Sequence, residues 1–475
     1  MKILYVTSEA NPFAASGGLG DVMGALPKSV KSAHPDYDVS VIMPLYDTMK
    51  AGYREKLEKY ADISFKLSWR STGTTVYKLC DSGVSYYFVE NHYYFDRGRL
   101  YGAFDDAERF AFFSTAVVEF MLKTGNIPDV LHANDWQSAL AVIYLKTEYK
   151  HISRLSAVKT VYTVHNIEYQ GKFDPYILGD VFALGRDHYG IVEFDGCINL
   201  MKGALVCSDY VTTVSQRYAE ELKYDFFGFG LSNVISSISH KLSGVINGID
   251  YDYFSPDKGG DIDFPYTKRG VKGGKAKNKK ALLSELSMNT DPDVPLMVMI
   301  TRLATQKGIE LFLHVAEEML SEKVNIIVLG TGEKEYEQSL KSLDERYPNF
   351  KALLTFDRVL SKRMYASADL FLMPSKFEPC GLSQMICCSY GTIPVVRAVG
   401  GLYDSIIPYG AEGSNGFNFE SYNAHDMLYT VKRALAVYED KEEWDALRKR
   451  AMCSDFTWHR SAEKYVELYN NLLNW

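Results

Sequence analysis

The sequence predicts an α/β protein built from two doubly wound domains. Three observations predict it: short runs rich in Val and Ile alternate with amphipathic stretches, the chain is too long for one core, and its composition changes past the middle. Continuous apolar strands separated by helices are typical of parallel sheets covered on both faces. Because one core rarely organises more than about 300 residues, a chain of 475 residues is expected to hold two.

The strand candidates are short apolar runs bounded by turn residues. In the first half they are residues 2–7, 39–44, 85–89, 130–133, 158–164, 210–214 and 244–246. In the second half they are residues 296–301, 325–329, 352–356, 370–374 and 393–396. Amphipathic patterns between most of them, such as 308–320 and 334–347, predict covering helices.

The change of composition predicts the domain boundary. Residues 268–280 carry seven basic side chains between Gly and Pro punctuation, and such a run usually marks a solvated segment. We therefore expect a first domain over 1–252, a linker and basic helix start over 253–293, and a second domain that begins at 294.

Charge and hydropathy exclude several classes of function. The formal net charge is -8, and a nucleic-acid surface would need a clustered cationic footprint. The most apolar stretch, residues 111–122, is too short to span a membrane and contains Glu119. The N-terminal apolar run is too short for a signal peptide. The seven cysteines lack metal spacing, so we expect reduced, mostly buried thiols and a cytoplasmic protein.

A glycine-rich turn directly follows the first strand. Ser16, Gly17 and Gly18 begin the run SGGLGDV, and a Gly pair at a strand-to-helix turn lets the backbone approach a ligand. Amides at a helix N-terminus attract anions, so we expect the amides of this turn to face phosphates. A plain tight loop explains the turn about equally well.

The second half offers a carboxylate and two cations at strand ends. Glu378 follows the strand over 370–374, and Arg302 and Lys307 flank the turn after the strand over 296–301. Parallel sheets place ligands at such ends, and Arg with Lys suits a diphosphate leaving group. Taken singly, a helix-start carboxylate and solvated surface cations remain the ordinary explanations.

Two further polar strand ends lie in the first half, in HANDW over 132–136 and in TVHN over 163–166. A single His at a strand end is more often structural. Two polar strand ends in one parallel sheet share a rim, which favours a site.

In this order and at these distances, the motifs resemble those of bacterial glycogen synthases and plant starch synthases. The resemblance runs nearly end to end, and its most specific segments are FEPCGLSQ at 377–384 and GTIPVVRAVGGLYD at 391–404. It implies two facing Rossmann-like domains of the GT-B type around a cleft. It also implies that a last helix, over 457–475, crosses back from the second domain (294–456) to the first.

The resemblance also implies roles for individual residues. Glu378 would bind the glucose hydroxyls of the donor, assisted by the amides of the Cys380–Gly381–Leu382 segment. Arg302 and Lys307 would hold the diphosphate, and Phe356 would stack on the nucleobase. The residues that would surround the transferring glucose are His165, Asp135 and Asn247, and those that would close the site from the first domain are Ser16, Gly17, Gly18 and Asp21.

The implied activity is retaining transfer of glucose from ADP-glucose to the non-reducing 4-hydroxyl of an α-1,4-glucan, without metal or cofactor. The partners are then a sugar nucleotide and a glucan such as glycogen, with no nucleic acid and no membrane. Two positions depart from the family pattern: Ala15 stands where a Lys is usual, and Gln137 where a His is common. A UDP-glucose-dependent enzyme of the same fold and a non-catalytic glucan-binding homologue remain the alternatives.

Overall fold

The computed structural model describes residues 1–258 and 260–474, and the chain divides into two compact units. Unit 1 comprises Met1–Asn247 together with the segment from Trp458 onward, and unit 2 comprises Gly248–Thr457. The division after Asn247 comes slightly before the boundary that the sequence predicts at residue 252.

Unit 1 is organised around one large sheet with β1 in its middle. The strand order is β12-β11-β7-β6-β1-β2-β5-β4-β3, parallel from β12 to β5 and antiparallel from β5 to β3. A small antiparallel sheet of order β8-β10-β9 accompanies it. The strands are β1 Lys2–Val6, β2 Asp38–Pro44, β3 Glu58–Leu67, β4 Arg70–Asp81, β5 Val84–Val89, β6 Val130–Asn134, β7 Lys159–Val164, β8 Lys172–Phe173, β9 Glu193–Phe194, β10 Cys197–Asn199, β11 Tyr210–Thr213 and β12 Leu242–Gly244.

Helices connect the parallel strands of unit 1, as the crossover rule for parallel sheets requires. The longest is an apolar helix whose side chains are buried almost all round, α4. The helices are α1 Gly18–Ala33, α2 Ala51–Arg54, α3 His92–Phe95, α4 Asp106–Thr124, α5 Ala139–Lys146, α6 Ser153–Ser156, α7 Tyr189–Val192, α8 Leu200–Cys207, α9 Gln216–Glu221, α10 Asp225–Gly228 and α11 Ser232–Ser237.

Unit 2 has a fully parallel sheet of order β15-β14-β13-β16-β17-β18, which is the doubly wound order 3-2-1-4-5-6. Its strands are β13 Leu296–Ile300, β14 Asn325–Leu329, β15 Phe350–Leu353, β16 Leu370–Met373, β17 Ile393–Arg397 and β18 Phe417–Phe419. Its helices are α12 Val271–Glu285, α13 Ile309–His314, α14 Ala316–Leu320, α15 Lys334–Arg346, α16 Arg358–Ser367, α17 Ser383–Ser389, α18 Gly400–Ser405, α19 Ala424–Glu439 and α20 Lys441–Ala451.

The last helix, α21 (Trp458–Leu473), belongs to unit 1, which confirms the predicted return of the chain. It packs against α1. The hydroxyl of Tyr469 lies 2.7 Å from Nδ1 of buried His132 and donates to the hydroxyl of Tyr5 at 3.1 Å. His132 therefore has a structural role, as a tie between β6 and α21.

The predicted α/β class and the two doubly wound sheets are confirmed. The apolar runs become parallel strands with ends shifted by a few residues; the largest shifts are at β12, predicted over 244–246, and β15, predicted over 352–356. The helix predicted over 308–320 is two helices, because the backbone breaks at Val315. Cys80 and Cys453 are exposed, so the expectation of mostly buried thiols is wrong for them. Within the described ranges, no helix combines the length and apolarity that crossing a membrane requires.

The basic segment of unit 2 is helical, and two of its seven basic side chains, Lys275 and Lys279, are buried while the other five are exposed. On α12, Lys279 Nζ lies 2.7 Å from Oδ2 of Asp369, whose Oδ1 accepts from Arg448 at 3.1 Å. Lys275, also buried, donates to the carbonyl of Tyr365 at 2.9 Å and to other oxygens around it. Residues 253–293, expected to be a linker and a helix start, therefore lie inside unit 2.

Asp369 is the acceptor at the centre of this buried network. Burial acts to raise the pKa of Asp369, but attraction to Lys279 and Arg448 outweighs it, so the pKa lies below its ordinary value. The Leu296 amide donates to the same carboxylate at 3.0 Å, which ties the start of β13 to the network. The Asp369 carboxylate thus holds three elements together, namely α12, β13 and α20.

We expect Asp369→Ala to destabilise unit 2 strongly, because it leaves buried Lys279 without a carboxylate and leaves buried Arg448 with Asp445 as its one carboxylate partner among the described residues. The loss should be about 3–5 kcal/mol of unfolding free energy, measured by urea titration. The control is Glu317→Ala, which removes an ion pair with Arg346 between side chains that are 63% and 52% exposed. That change should cost less than about 1 kcal/mol, and equal losses in the two variants would contradict the network's importance.

Candidate active site

Each sheet reverses its direction of winding beside its first strand. In unit 1 the reversal lies between β1 and β6, and in unit 2 between β13 and β16. In doubly wound sheets, ligands bind at the carboxyl ends of the strands at such switch points. The residues that the sequence singled out follow the ends of these four strands or of the adjacent β7, with few exceptions.

In unit 2, Glu378 forms a buried ion pair. Its Oε2 lies 2.6 Å from Lys307 Nζ and accepts a hydrogen bond from Ser375 Oγ at 3.1 Å. Glu378 is only 6% exposed. The charge is therefore held in one orientation by a cation and a hydroxyl, as a buried carboxylate requires.

Two glycines allow this pairing by letting backbones touch. Gly308 follows Lys307 with φ +70°, and a Cβ there would lie 2.1 Å from the carbonyl oxygen of Pro374. Gly400, with φ +46°, would place a Cβ 1.9 Å from the carbonyl oxygen of Glu378. The turn after β13 and the start of α18 can approach the Glu378 loop only because both positions lack a side chain.

Arg302 lies beside the pair but is exposed. With Lys307 and Ser375 it lines a cavity of about 210 Å³ at the ends of β13 and β16. Its Nη2 lies 3.5 Å from Gln306 Oε1, so among the described residues a weak hydrogen bond orients the guanidinium. The structure brings Arg302, Lys307 and Glu378 together.

The remaining predicted residues of unit 2 occupy two places. Cys380 is buried, Gly381 has φ +70° and Leu382 immediately precedes α17, so all three belong to the Glu378 loop. Glu378 itself lies well before α17, so the expectation that it opens a helix is wrong. Phe356 follows β15, two strands away from β13, and is 78% exposed beside the guanidinium of Arg358.

In unit 1, Asp135 and His165 meet at the ends of β6 and β7. Asp135 Oδ1 accepts from the His165 amide at 2.8 Å. Asp135 has φ +55°, a conformation that costs a non-Gly residue about 1–3 kcal/mol and clusters at functional sites. Burial raises the pKa of Asp135 to about 7, while the His165 and Asn166 amides oppose the rise.

His165 is neutral, and its protonation can be assigned from its neighbour. Asn134 Nδ2 donates to the carbonyls of Val6 and His132, so Asn134 Oδ1 must accept from His165 Nε2 at 2.9 Å. Burial lowers the pKa of His165 to about 3. The ring therefore carries its proton on Nε2 and presents Nδ1 as an acceptor.

Two amide side chains of unit 1 have oxygens without a partner among the described residues. Asn247 is 6% exposed and Gln137 is 7% exposed, and the Oδ1 and Oε1 atoms, respectively, accept no hydrogen bond there. Buried polar atoms are usually satisfied, so such an oxygen is a natural acceptor for a ligand hydroxyl. Asn247 is a predicted site residue, and Gln137 stands where the family pattern commonly has a His.

Two amides of the glycine-rich turn already have a partner in the chain. The amides of Ser16 and Gly17 donate to Glu9 Oε2, at 2.5 and 3.3 Å, instead of standing open to an anion. Gly17 and Gly18 are exposed, and Asp21 accepts from Asn11 Nδ2 at 2.5 Å. In this structure the amides of Ser16 and Gly17 therefore bind a carboxylate of the chain itself, and the expectation that the amides of this turn face phosphates stays a prediction.

Sequence reasoning missed Glu9. It follows β1 directly and is 3% exposed, and the sequence signal was available: an acidic residue at the end of the first strand, a few residues before a glycine-rich turn. Across residues 1–258 and 260–474, no group of three or more His, Cys, Asp or Glu side chains is arranged to hold a metal ion.

The raised pKa of Asp135 predicts a pH-dependent stability difference. Between pH 4 and 7 the folded protein keeps a proton on Asp135 that the unfolded chain has lost, so this residue makes stability fall as pH rises. Asp135→Asn removes that loss. The melting temperature of Asp135→Asn relative to the wild type should therefore increase from pH 4 to pH 7, measured by scanning calorimetry, and a constant or falling difference would contradict the raised pKa.

Comparisons with known proteins agree with this geometry over the whole chain. Residues 2–237 match the family model of the starch synthase catalytic domain, and residues 287–451 match that of the glycosyl transferases group 1. The chain is 41% identical over 481 residues to a glycogen synthase of Clostridium novyi, covering 100% of both chains. It is 42% identical to a glycogen synthase of Streptococcus mutans, covering 99% of this chain and 100% of that one.

Solved structures also indicate the starch synthase family and its fold. The catalytic domain of starch synthase IV from Arabidopsis thaliana, bound to ADP and acarbose, has a TM-score of 0.89 and 30% identity, covering 100% of this chain and 99% of that one. Sucrose-phosphate synthase from Thermosynechococcus elongatus, at 16% identity and a TM-score of 0.62, covers 100% of this chain and 99% of that one and shares the fold. The chain belongs to the glycogen synthase and starch synthase family of glycosyltransferases.

Proposed function

We propose that this protein transfers glucose from ADP-glucose to the non-reducing 4-hydroxyl of an α-1,4-glucan with retention of configuration. The observation that carries the proposal is the Lys307–Glu378 pair beside Arg302 at the switch point of unit 2. The related Arabidopsis structure, which contains ADP and acarbose, supports the choice of donor and the class of acceptor.

Arg302 and Lys307 would stabilise the diphosphate as it leaves. Arg can donate two parallel hydrogen bonds to phosphate oxygens, and Lys supplies a compact charge with three donors. Lys307 uses one donor on Glu378 at 2.6 Å, which leaves two for phosphate. Fixed cations at the position of developing charge lower the barrier without reorganisation.

Glu378 would accept hydrogen bonds from glucose hydroxyls, with the amides of Cys380 and Gly381 as nearby donors. Because the pair with Lys307 fixes the carboxylate in advance, little rotational freedom is lost when the sugar binds. From unit 1, His165 Nδ1, the carboxylate of Asp135 and Asn247 Oδ1 would accept further hydroxyls. The Leu382 amide would contact the donor beside those of Cys380 and Gly381. The turn formed by Ser16, Gly17 and Gly18 would approach the donor through the amide of Gly18, with Asp21 beside it.

The reaction would proceed on one face of the sugar. The bond from glucose C1 to the phosphate oxygen breaks, and the acceptor 4-oxygen bonds to C1 from the same side. The acceptor proton passes to the leaving phosphate oxygen, so no enzyme carboxylate has to act as base, and direct attack from the same side needs no enzyme nucleophile. Exclusion of water from the site would protect the glucosyl group from hydrolysis.

The nucleobase would stack on Phe356, which is largely exposed and so available to an aromatic ring. Stacking does not distinguish adenine from uracil. The direct test is release of ADP or UDP from each sugar nucleotide, with and without glycogen. Glycogen-dependent release from ADP-glucose is expected; release only from UDP-glucose would overturn the donor, and glucan binding without release would overturn the activity.

Glu378→Gln should nearly abolish transfer and leave the fold intact. The amide keeps the size of the side chain but loses an acceptor and the charge that faces Lys307, worth about 2–4 kcal/mol in the transition state, or about 30- to 1,000-fold in turnover. Turnover is measured as ADP release at saturating donor. Glu317→Gln, an exposed carboxylate of the same unit, should retain full activity, and so should Glu378→Gln if the assignment fails.

Arg302→Ala and Lys307→Ala should each lower kcat/KM by about 100-fold, and the double variant should lose less than the product, because both act on one charge. A double-mutant cycle on ADP-glucose measures the coupling. Arg346→Ala, an exposed arginine of unit 2, is the matched control. Strictly additive losses would contradict a shared diphosphate.

A further inference from the structure

Glu9 holds the glycine-rich turn with an unusually complete set of hydrogen bonds. Its Oε2 accepts from the amides of Ser16 and Gly17, at 2.5 and 3.3 Å. Its Oε1 accepts from Ser16 Oγ at 2.9 Å and from the hydroxyl of Tyr101 at 2.6 Å. One carboxylate thus receives four donors, three of them from the turn that precedes α1.

No cation accounts for this charge. Among the described residues, no Lys, Arg or His nitrogen lies within ion-pair distance of Glu9, which is 3% exposed. A buried carboxylate without a cation is costly unless its oxygens are fully hydrogen-bonded, and here they are. Only a carboxylate can accept on both oxygens, so this position requires an acidic side chain.

The turn held by Glu9 is closely packed on the side that faces Gly20, while its outer side at Gly17 and Gly18 is open. A Cβ on Gly20 would lie 2.3 Å from the Ala15 Cβ and 3.1 Å from Glu9 Oε2, and the Asn11 amide donates to the Gly20 carbonyl at 2.9 Å. The first turn of α1 therefore packs directly on the segment from Glu9 to Ser16. Through the contacts at Gly20, a change in how Glu9 holds the turn is expected to shift the start of α1.

We propose that Glu9 is a positioning residue for the donor: it fixes the turn so that the first turn of α1, from Gly18 onward, receives the diphosphate. The inference rests on the proposed function. Because Ser16 and Gly17 already donate to Glu9, the N–H groups left at the start of this 16-residue helix are those of the following residues. Glu9 touches no substrate and acts through the backbone.

A different role for Glu9 would change donor affinity in the opposite direction. If Glu9 acted mainly as a negative charge near the diphosphate, its removal would tighten donor binding, most strongly at low salt. If it acts by positioning, removal weakens binding at all salt concentrations. The sign of the change in affinity therefore decides between the two.

The experiment compares Glu9→Gln, Glu9→Asp and Tyr101→Phe with the wild type. Gln keeps the shape but turns one acceptor into a donor that faces the turn. We expect Glu9→Gln to weaken ADP binding, measured by calorimetric titration, by about 10-fold, the scale of one charged hydrogen bond. KM for ADP-glucose should rise by a similar factor while kcat at saturation changes less than about 3-fold.

The other variants test the mechanism of the effect. Glu9→Asp retains both acceptor oxygens and should lie between Glu9→Gln and the wild type. Tyr101→Phe removes the one donor that does not belong to the turn, so ADP affinity should change less than about 2-fold. If Glu9→Gln does not fold, Ser16→Ala removes one donor from the turn and should weaken ADP binding by about 3-fold.

Three outcomes overturn the proposal: unchanged ADP affinity in folded Glu9→Gln, tighter binding that disappears with salt, or equal effects of Glu9→Gln and Tyr101→Phe. The failure of the proposed function is distinguishable. If the wild type neither binds ADP nor releases it, the proposed function and this inference both fall. If the wild type binds ADP and Glu9→Gln binds it equally well, only the role of Glu9 is refuted.

Discussion

The arrangement of both units depends on one property of open parallel sheets that carry helices on both faces, which is that the direction of winding reverses once, here beside the first strand. The reversal leaves the carboxyl ends of β1 and β6, and of β13 and β16, uncovered by a crossover helix. Polar residues can stand at those ends without entering the core. Glu9 and Asp135 do so in unit 1, and Glu378 does so in unit 2. These three carboxylates therefore stand at places that the topology provides.

Within unit 2, the Lys307–Glu378 pair shows how such a site is held rigid. A buried ion pair rarely adds net stability, because desolvation offsets the attraction. Here the pair fixes orientation: the two charges come from separate loops, and the close backbone contacts at Gly308 and Gly400 bring those loops together. The same close contacts explain why the loops tolerate left-handed glycines, which would weaken an ordinary turn.

The sequence predicted the parallel strands well, because fully buried strands are continuous apolar runs. It missed the hairpin of β3 and β4, where polar residues alternate with apolar ones and the burial pattern is correspondingly mixed. It also misassigned residues 268–280, since a count of charges does not reveal that Lys275 and Lys279 reach buried oxygens. The two errors have different causes: Lys279 binds Asp369, 90 residues away in the sequence, whereas β3 and β4 are neighbours in the sequence and were missed because of their mixed pattern.

The candidate site was predictable from the sequence in unit 2 but only in part in unit 1, where Glu9 was missed. Strand ends and the family resemblance identified Glu378, Arg302 and Lys307, which the structure brings together. The amides of the glycine-rich turn were assigned to a ligand, although Glu9 occupies two of them. A motif specifies the shape of a turn but does not specify which anion fills it, and an anion of the chain itself is the simplest occupant.

The position of Glu9 also bears on Ala15, which stands where the family usually carries a lysine. The side chains of residues 9 and 15 lie side by side, since a Cβ on Gly20 would touch both of them. A lysine at position 15 would have this carboxylate within reach as well as any phosphate, and a cation between two anions stabilises both. Among the described residues of this chain, the hydroxyls of Ser16 and Tyr101 and the backbone of the turn stabilise the Glu9 carboxylate by hydrogen bonds alone. With Ala15, both the donor and Glu9 lack a cation at this position. An effect of Ala15 on donor binding can therefore act through the phosphates directly or through Glu9 and the turn that Glu9 positions.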